Sequence, residues 1–408
     1  MWTRMGAVLT AAAVAIGLAS APAQAATKPA KVGLISFTGA ALQGSSASLT
    51  LQWPAARHAR SYEVFLSRSY GGVMDAKVFK RTASRATTLS GLVPGATYYV
   101  TVRGVNGSAK GPRASRVGRT TIVKQGTGRH DSRSVMTWNI CSEKPGCISG
   151  GQGWSRREST FLGVVAARRP AVLALQESKV LASGRPDAVP GYARAAYWSS
   201  KALFFDTAVY RLVPKGDTEP EDLDGTMRTC ASAADGRYGC IDLGGGKFAV
   251  WGELEDVETR QRVIYVSAHV TSGKSETYAR ARQREAKRLL AGVAALNGEG
   301  LPVVLAGDWN SHRNRDNDYI GAELRKGGFR DAFDLARSVG RQHYNSYNDW
   351  ETKPTISVTW GDHVDKVWVQ PGRSVVRRWE NSAPMTGGRY AGPLVSDHNP
   401  VLVKVSLD

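Results

Sequence analysis

Cysteine is scarce in this sequence. The 408 residues include only four, Cys141, Cys147, Cys230 and Cys240, and no two of them have the C-x-x-C spacing that would favour a zinc site. Three pairings exist for four cysteines, and Cys141–Cys147 with Cys230–Cys240 closes the shortest loops. We therefore predict these two disulfides, which require an oxidising compartment.

Long apolar runs are absent after the N-terminus. Arg4 precedes the stretch GAVLTAAAVAIGLASAPAQAA, which contains the triplet Ala23-Gln24-Ala25. This arrangement is typical of a secretory signal peptide over 1–25, and an uncleaved membrane anchor is the alternative. No later segment reaches the roughly 20 apolar residues that a transmembrane helix needs. We expect a secreted, extracellular protein without a transmembrane segment, and a monomer.

Acidic residues are almost missing from the first third of the chain. The whole sequence has a net charge of +19, yet residues 26–125 contain 15 Lys or Arg and only two Asp or Glu. Such an excess favours an anionic partner, such as nucleic acid, a cell-surface polyanion or an anionic membrane. A solubilising surface without a partner is the alternative.

Helical periodicity is missing from residues 31–121. Short alternating segments such as ASLTLQW and TYYVTVRGVN, separated by turns, predict an antiparallel β-sandwich with Trp53 in its core. The segment LVPGATYYVTV, in which Tyr98 precedes a strand, resembles the tyrosine corner of fibronectin type III domains. The resemblance implies structural roles for Trp53 and Tyr98, one in the core and the other at the corner. The polar stretch 122–133 predicts a linker.

The remainder of the chain, 134–408, repeats one pattern, an apolar strand with polar residues at its end. The pattern occurs in SVMTWNI, AVLALQES, RVIYVSAHV, LPVVLAGDWN, DHVDKVWV and LVSDHNPVLVKV. Apolar residues at helical spacing over 153–170 and 275–297 predict two helices between these strands. Strands that alternate with helices predict a layered α/β fold.

The polar residues at these strand ends predict one site. They are Asn139, Glu177, His269, Asp308, Asn310, Asp365, Asp397 and His398. Taken alone, Asp308 and Asn310 favour a turn, in which their side chains bond their own backbone. Carboxylates that converge at one sheet edge repel one another, and a divalent cation removes that cost. Hard oxygen ligands favour Mg²⁺, Mn²⁺ or Ca²⁺ over zinc, and such a cation beside two histidines suits hydrolysis of a phosphate ester.

The motifs TWN, LQE, SAH, GDWN, HVDKV and SDHNPV, in this order, resemble the endonuclease/exonuclease/phosphatase superfamily of DNase I-like enzymes. The resemblance covers 134–408 and implies a four-layered α/β/β/α sandwich and a Mg²⁺-dependent phosphoester hydrolase. It also implies a role for each site residue. Glu177 would be the main metal ligand, with Asn139 and Asp397 beside it. Asp308 would orient the attacking water, Asn310 would bind phosphate, His398 would pair with Asp365, and His269 would protonate the leaving oxygen or bind phosphate. The identity of the general base stays open.

Some residues depart from the family pattern or have two interpretations. Asp206 is the only counterpart of the carboxylate that supports the first histidine in DNase I-like members, and its position is shifted. Lys366 replaces a common aromatic residue. His312 and His343 are interpreted as solvated loop residues, whereas Arg313 and Arg315 fit either a phosphate clamp or a solvated loop.

Three functions remain open. The first is a secreted metal-dependent nuclease whose basic N-terminal domain tethers polynucleotide. The second is a secreted phosphoesterase of the sphingomyelinase or phosphatase type, acting on phospholipids or inositol phosphates. The third is a non-catalytic binding protein. The complete motif set argues against the third, and the basic N-terminal region favours the first. Because no motif residue precedes 134, we expect 134–408 to hydrolyse small diesters alone.

Overall fold

The computed structural model describes residues 26–142, 145–150, 153–181, 188–227 and 229–408. The predicted signal peptide, 1–25, lies outside the described residues. Within the ranges given, no helix combines the length and the apolarity that crossing a membrane requires.

The N-terminal domain is a sandwich of two antiparallel sheets. Its strands are β1 (Ser36–Gln43), β2 (Ser46–Gln52), β3 (Ser61–Ser67), β4 (Val78–Thr82), β5 (Ala86–Leu92), β6 (Thr97–Asn106), β7 (Ala109–Lys110) and β8 (Val117–Thr120). One sheet has the order β1-β2-β5, and the other has β4-β3-β6 with β7 and β8 both paired to β6. Alternate residues such as Leu49, Val64 and Val100 are fully buried between the sheets. The Tyr98 hydroxyl accepts a hydrogen bond from Val93 N–H at 3.0 Å, as expected for a tyrosine corner.

The C-terminal domain mixes strands and helices. Its strands are β9 (Arg133–Asn139), β10 (Val172–Gln176), β11 (Tyr192–Trp198), β12 (Lys201–Asp206), β13 (Tyr210–Leu212), β14 (Tyr238–Gly244), β15 (Lys247–Asp256), β16 (Arg262–His269), β17 (Val303–Asp308), β18 (Arg330–Asp331), β19 (Ser338–Gly340), β20 (Asp365–Val369), β21 (Ser374–Asn381), β22 (Met385–Thr386), β23 (Arg389–Tyr390) and β24 (Val401–Leu407). Its α-helices are α1 (Pro145–Gly150), α2 (Trp154–Arg168), α3 (Glu276–Leu296), α4 (Tyr319–Lys326) and α5 (Ala332–Leu335). Short 3₁₀ helices in the chain are Gly72–Met74, Lys179–Leu181, Pro220–Asp222 and Pro371–Arg373.

Two large sheets carry the strand ends of interest. One has the order β11-β12-β10-β9-β24-β21-β19, and the other has β13-β15-β16-β17-β20-β18 with β14 paired to β15. β9 is parallel to β10 and β16 is parallel to β17, whereas β24 and β20 run antiparallel to β9 and β17. The last residues of the parallel strands therefore lie at the same edge as the first residues of β20 and β24.

The two sheets pack face to face, and helices cover their outer faces. On β17, Val304 and Ala306 belong to the core between the sheets, whereas Val303 and Leu305 belong to a cluster that includes residues of α3 and α4. On the outer face of the other sheet, α2 contributes Phe161 to a third cluster. The predicted α/β class is confirmed, and α2 and α3 lie where the helical spacing predicted them.

Both predicted disulfides, Cys141–Cys147 and Cys230–Cys240, are present. Each closes a short loop and is expected to stabilise the fold by about 2–3 kcal/mol. The first bridge begins two residues after Asn139 and ends in α1. It therefore fixes the chain that leaves β9.

Residues 122–133, predicted as a linker, lie against the C-terminal domain. The Gln125 side chain donates to Leu335 O at 3.0 Å and accepts from Val376 N–H at 2.7 Å. Gly126 N–H donates to Pro371 O at 2.8 Å, and the Asp408 carboxylate accepts from Arg129 N–H at 3.0 Å. These contacts hold the segment against the C-terminal domain.

The two domains also contact each other directly. Ala40 N–H donates to Arg337 O at 3.0 Å, so the edge of β1 bonds to the C-terminal domain. The Arg119 side chain of β8 is buried, donates to Ala336 O at 3.3 Å and lies 4.1 Å from the centre of the Phe333 ring. The interface is therefore a packed one.

Candidate active site

The predicted site residues meet at one edge of the two sheets. In strand register, His269 lies opposite Asp308 and Asp308 lies opposite Asp365, on three neighbouring strands. In the other sheet, Asn139 ends β9, and His398 shortly precedes the neighbouring β24. Face-to-face packing of the sheets then brings the two groups of residues together.

Asp308 is the centre of this group. Its Oδ2 accepts a hydrogen bond from Asn139 Nδ2 at 3.1 Å and lies 3.5 Å from His269 Nε2 and 3.8 Å from His398 Nε2. The bond to Asn139 joins the two sheets. Burial raises the pKa of Asp308 to about 6, with Asp365 acting in the same direction against the opposing effect of His398. A carboxylate with this pKa can exchange a proton near neutral pH.

The His398 imidazole is held by Asp365. His398 Nδ1 lies 2.9 Å from Asp365 Oδ2, and Asp365 is fully buried. The backbone N–H groups of Val364 and Asp365 donate to the Ser346 hydroxyl at 2.9 and 3.0 Å, which fixes the start of β20. Burial alone would lower the pKa of His398, but Asp365 and Asp308 outweigh burial and raise this pKa to about 10. The imidazole is therefore cationic at neutral pH.

Hard oxygen ligands for a divalent cation lie beside this pair. Glu177 Oε1 is 3.9 Å from His269 Nε2, and Asp397 Oδ1 accepts from the Ser396 hydroxyl at 3.1 Å. Burial raises the pKa of Asp397, and the nearby Glu177 carboxylate adds to this rise against the opposing effect of His398. Two carboxylates that repel in this way gain from a bound cation, and Asn139 adds an amide oxygen. The donor atoms of the three predicted ligands are of the kind that Mg²⁺ or Mn²⁺ prefers.

Asp308, Asp365 and His398 form a compact group of candidate ligating atoms in the same place. Oxygen and nitrogen atoms of Asp308, Asp365 and His398 all lie within 4.8 Å of one another. The short contact between His398 Nδ1 and Asp365 already uses one atom of each side chain. This contact is compatible with the predicted roles, in which this group acts on water and phosphate and the Glu177 group holds the cation.

Glu177 and Asn310 have left-handed backbone conformations, with φ of 51° and 48°. This conformation costs on the order of 1 kcal/mol for a residue other than glycine. At Asn310 it is supported by the backbone N–H, which donates to Asp308 Oδ1 at 2.9 Å, and by Nδ2, which donates to Val270 O at 3.1 Å. Both side chains line the cleft described next.

The sheet edge opens into a cleft of about 590 Å³. Its lining includes the predicted residues Asn139, Glu177, His269, Asp308, Asn310 and His398. Lys247, Lys274 and Arg315 add positive charge to the walls, and Asp349 and Asp362 add negative charge. The cleft can therefore accept a phosphate ester with the phosphate beside Asp308 and His398. Asp365 and Asp397 do not line the cleft. Asp365 contacts the His398 imidazole, and Asp397 precedes His398 in the chain.

The structure shows the surroundings of the residues that had two interpretations or departed from the family pattern, and His312 and His343 are not solvated. His343 is only 4% exposed, and His312 lines the cleft, where burial lowers its pKa to about 4. Arg313 pairs with Asp334 at 2.5 Å instead of facing the cleft. Asp206 ends β12 at the edge opposite the site and pairs with Arg169 at 3.2 Å, so it does not support His269. Lys366 is buried and donates to Ser311 O at 2.8 Å.

Sequence reasoning missed the contribution of residues 341–364. This segment supplies Ser346, which fixes the start of β20, and Tyr347, whose ring centre lies 5.0 Å from that of His398. It is itself attached to the N-terminal domain, because Gln342 Nε2 donates to Phe37 O at 2.7 Å and His343 Nε2 lies 2.7 Å from Ile35 O. The cluster YNSYND at 344–349 was the one signal of a specialised loop here.

Comparisons with known proteins place both domains. The family model described as Endonuclease/Exonuclease/phosphatase family matches residues 136–398, and the Fibronectin type III domain model matches 37–120. A search of the curated proteins gave no match.

Solved structures similar to this chain include three from different organisms. A mannosyl-6-phosphatase from Bacteroides thetaiotaomicron VPI-5482 is 19% identical, with 67% of this chain and 99% of that chain covered and a TM-score of 0.49. The human Nocturnin catalytic domain with bound sulfate is 19% identical, with coverages of 69% and 95% and a TM-score of 0.48. D. rerio TDP2 complexed with single strand DNA product is 14% identical, with coverages of 68% and 99% and a TM-score of 0.46.

Proposed function

The chain belongs to the endonuclease/exonuclease/phosphatase family, and from this premise we propose that it is a secreted, divalent-metal-dependent nuclease. Members of the family are phosphoester hydrolases that generally depend on a divalent metal. The observation that carries the proposal is the contact of Asp308 with Asn139, His269 and His398 at the floor of one cleft. A turn-forming role alone does not account for four such residues from separate strands.

The geometry supports in-line hydrolysis at phosphorus. That reaction needs a positioned water, a proton source for the leaving oxygen and positive charge near the phosphate. Asp308 is placed to orient the water and accept its proton, and the cationic His398 is placed to stabilise a phosphoryl oxygen. His269 is placed to bind the phosphate or protonate the leaving oxygen. A divalent cation held by Glu177, Asn139 and Asp397 would add Lewis-acid stabilisation.

Charge supports nucleic acid as the substrate. The chain carries +19, the cleft walls include Lys247, Lys274 and Arg315, and the N-terminal domain has few acidic residues. Lys and Arg that contact phosphates release counterions from a polynucleotide and so strengthen its binding. The two disulfides and the fibronectin type III domain support an extracellular location, in agreement with the predicted signal peptide.

A substrate panel tests the proposal. The purified protein, with Mg²⁺ or Mn²⁺, is incubated with plasmid DNA, RNA, sphingomyelin vesicles, inositol phosphates and a chromogenic phosphodiester. We expect cleavage of DNA or RNA that stops with EDTA and returns with the metal. Cleavage of sphingomyelin or inositol phosphates with intact DNA and RNA would reject the nuclease in favour of the lipid or inositol phosphoesterase. Hydrolysis that survives exhaustive chelation would reject the metal site.

A further inference from the structure

A second cleft lies between the two domains, outside the candidate active site. It has a volume of about 430 Å³ and is lined by residues of the N-terminal sandwich, such as Arg68 and Tyr99, and of the C-terminal domain, such as Arg325, Arg330 and Trp360. It is open to solvent and contains none of the predicted catalytic residues.

The charge of this second cleft is strongly positive. Arg313 also lines it, but its charge is balanced by Asp334 at 2.5 Å and Asp331 at 3.4 Å. Within the described part of the chain, no carboxylate oxygen lies within 4.0 Å of the guanidinium groups of Arg68, Arg325 or Arg330. Arg68 of the N-terminal domain therefore shares one cleft with Arg325 and Arg330, which lie at the two ends of the turn between α4 and β18, and none of the three has an acidic partner among the described residues. Such a group of cations favours binding of an anion.

The chemistry of these side chains selects phosphate. A guanidinium presents a planar pair of donors that matches phosphate oxygens. The half-exposed Tyr99 ring, packed edge-on against Trp360 with ring centres 5.9 Å apart, adds a surface on which a base can stack. Arginine forks beside an aromatic face are the features with which proteins hold single strands.

The second cleft is adjacent to the active-site cleft. The segment 312–315 lines both, because His312 and Arg315 line the active-site cleft while Arg313 lines the cleft between the domains. A polynucleotide strand that passes over this segment can therefore contact both clefts, whereas a small diester occupies only the first.

We propose that the interdomain cleft of Arg68, Arg325 and Arg330 is a substrate-binding subsite that holds the phosphate backbone of a nucleic-acid strand leaving the active site. This inference rests on the proposed nuclease function and extends it, because both domains then bind the substrate together. It assigns to the fibronectin type III domain a defined binding surface in place of a general positive charge.

The test compares two double variants of equal charge. Arg68→Glu with Arg325→Glu changes one exposed residue from each domain. Arg57→Glu with Arg60→Glu is the matched control, because it makes the same change of charge at two exposed residues. Arg60 precedes β3 and Arg68 follows it, so the length of the strand places Arg60 roughly 25 Å from Arg68. Both variants are checked for thermal unfolding, and binding of a labelled oligonucleotide is measured by anisotropy across a salt series, beside kcat/KM on polynucleotide and on a small phosphodiester.

We expect kcat/KM of the cleft variant on polynucleotide to fall at least ten-fold more than its kcat/KM on the small diester. Its plot of log affinity against log salt should become shallower by about 1.5, the contribution of two phosphate contacts. The control should keep the wild-type ratio. Equal behaviour of the two variants on polynucleotide would overturn the subsite while leaving the nuclease intact. A wild-type protein that cleaves no polynucleotide would instead refute the proposed function itself.

Discussion

At the scale of single residues, Glu177 is the side chain whose loss should remove the cation. Glu177→Gln keeps the size of the side chain but weakens a ligand to a divalent ion, so we expect at least a 100-fold fall in kcat with little change in thermal stability. Isothermal titration with Mn²⁺ checks the cause, because the variant should bind the ion more weakly. Glu258→Gln, at an exposed glutamate, is the control. Wild-type Mn²⁺ affinity in the Glu177 variant would contradict the assignment.

Asp365 should act through His398, because it contacts the imidazole and does not line the cleft. Asp365→Asn removes the charge that raises the pKa of His398, so the imidazole becomes neutral at a lower pH. We expect kcat to fall at least 100-fold with KM changed less than three-fold, and the alkaline limb of the pH–rate profile to move to lower pH. Asp316→Asn, at an exposed position, is the control. An unchanged profile would show that Asp365 only supports the fold.

The residue types at the strand ends could be predicted from the sequence because each follows an apolar strand of the right length. Asp308 and Asn310 are examples, and their position after a buried strand limits where their side chains can point. The burial of Arg313 could not be predicted. Its partners Asp331 and Asp334 lie 18 and 21 residues away, and no local pattern indicates that the chain returns to it.

At the scale of elements, the segment 341–364 connects the N-terminal domain to the catalytic pair. Its outer contacts are with Ile35 O, Phe37 O and Gly118 N–H, and its inner contact is the bond of Ser346 to the start of β20. Such contacts have no signature in the sequence, because any residue offers a backbone carbonyl. The strands themselves were predictable, since alternation and apolar runs record which faces are buried.

The buried His343 gives this segment a pH-dependent stability. Burial lowers the pKa of His343, with the positive Arg119 acting in the same direction and a hydrogen bond to Ile35 opposing. The neighbouring His363 is also buried, and its pKa is lowered by burial. Because the unfolded chain takes up a proton below about pH 6.5 that the folded chain resists, stability is full above that pH and declines as pH falls.

We therefore expect the free energy of unfolding to fall below pH 6.5 by up to about 1.4 kcal/mol per pH unit for this histidine. Denaturant unfolding between pH 5 and pH 8 measures it. His343→Gln should make the dependence shallower, leaving the part due to His363, and His58→Gln, at an exposed position of the same chain, should leave it unchanged. Parallel curves for all three proteins would contradict a role for His343.

At the scale of the whole molecule, the two domains should unfold as one cooperative unit. Arg119, Arg313 and Trp360 are largely buried at the interface. Separating the domains would remove the hydrogen bonds and ring contacts that these side chains make with the other domain. We expect a single calorimetric transition for the full chain. Trp360→Ala should lower its midpoint and also reduce kcat on a small diester, because the anchored segment 341–364 holds the start of β20. Two well-separated transitions would contradict this coupling.

This coupling revises the expectation that 134–408 acts alone. That expectation rested on the absence of motif residues before 134. This absence shows where the catalytic side chains lie, but it does not show which residues hold them in position. A shortened chain beginning at residue 130 should show a lower melting temperature and a lower kcat on a small diester than the full chain. Equal kcat values in the two proteins would restore the original expectation.

The construction of the site from both ends of the catalytic domain has a consequence for protein synthesis. Asn139 enters the growing chain about 260 residues before His398, whose backbone carbonyl accepts from the neighbouring Trp138 indole. At ordinary elongation rates this interval lasts roughly 15–50 s. His269 and Asp308 are added in the course of this interval, and the nascent polypeptide has no imidazole at position 398 and no final strand β24 until its end. We therefore expect an unfinished or truncated translation product to lack hydrolase activity until these last residues are made.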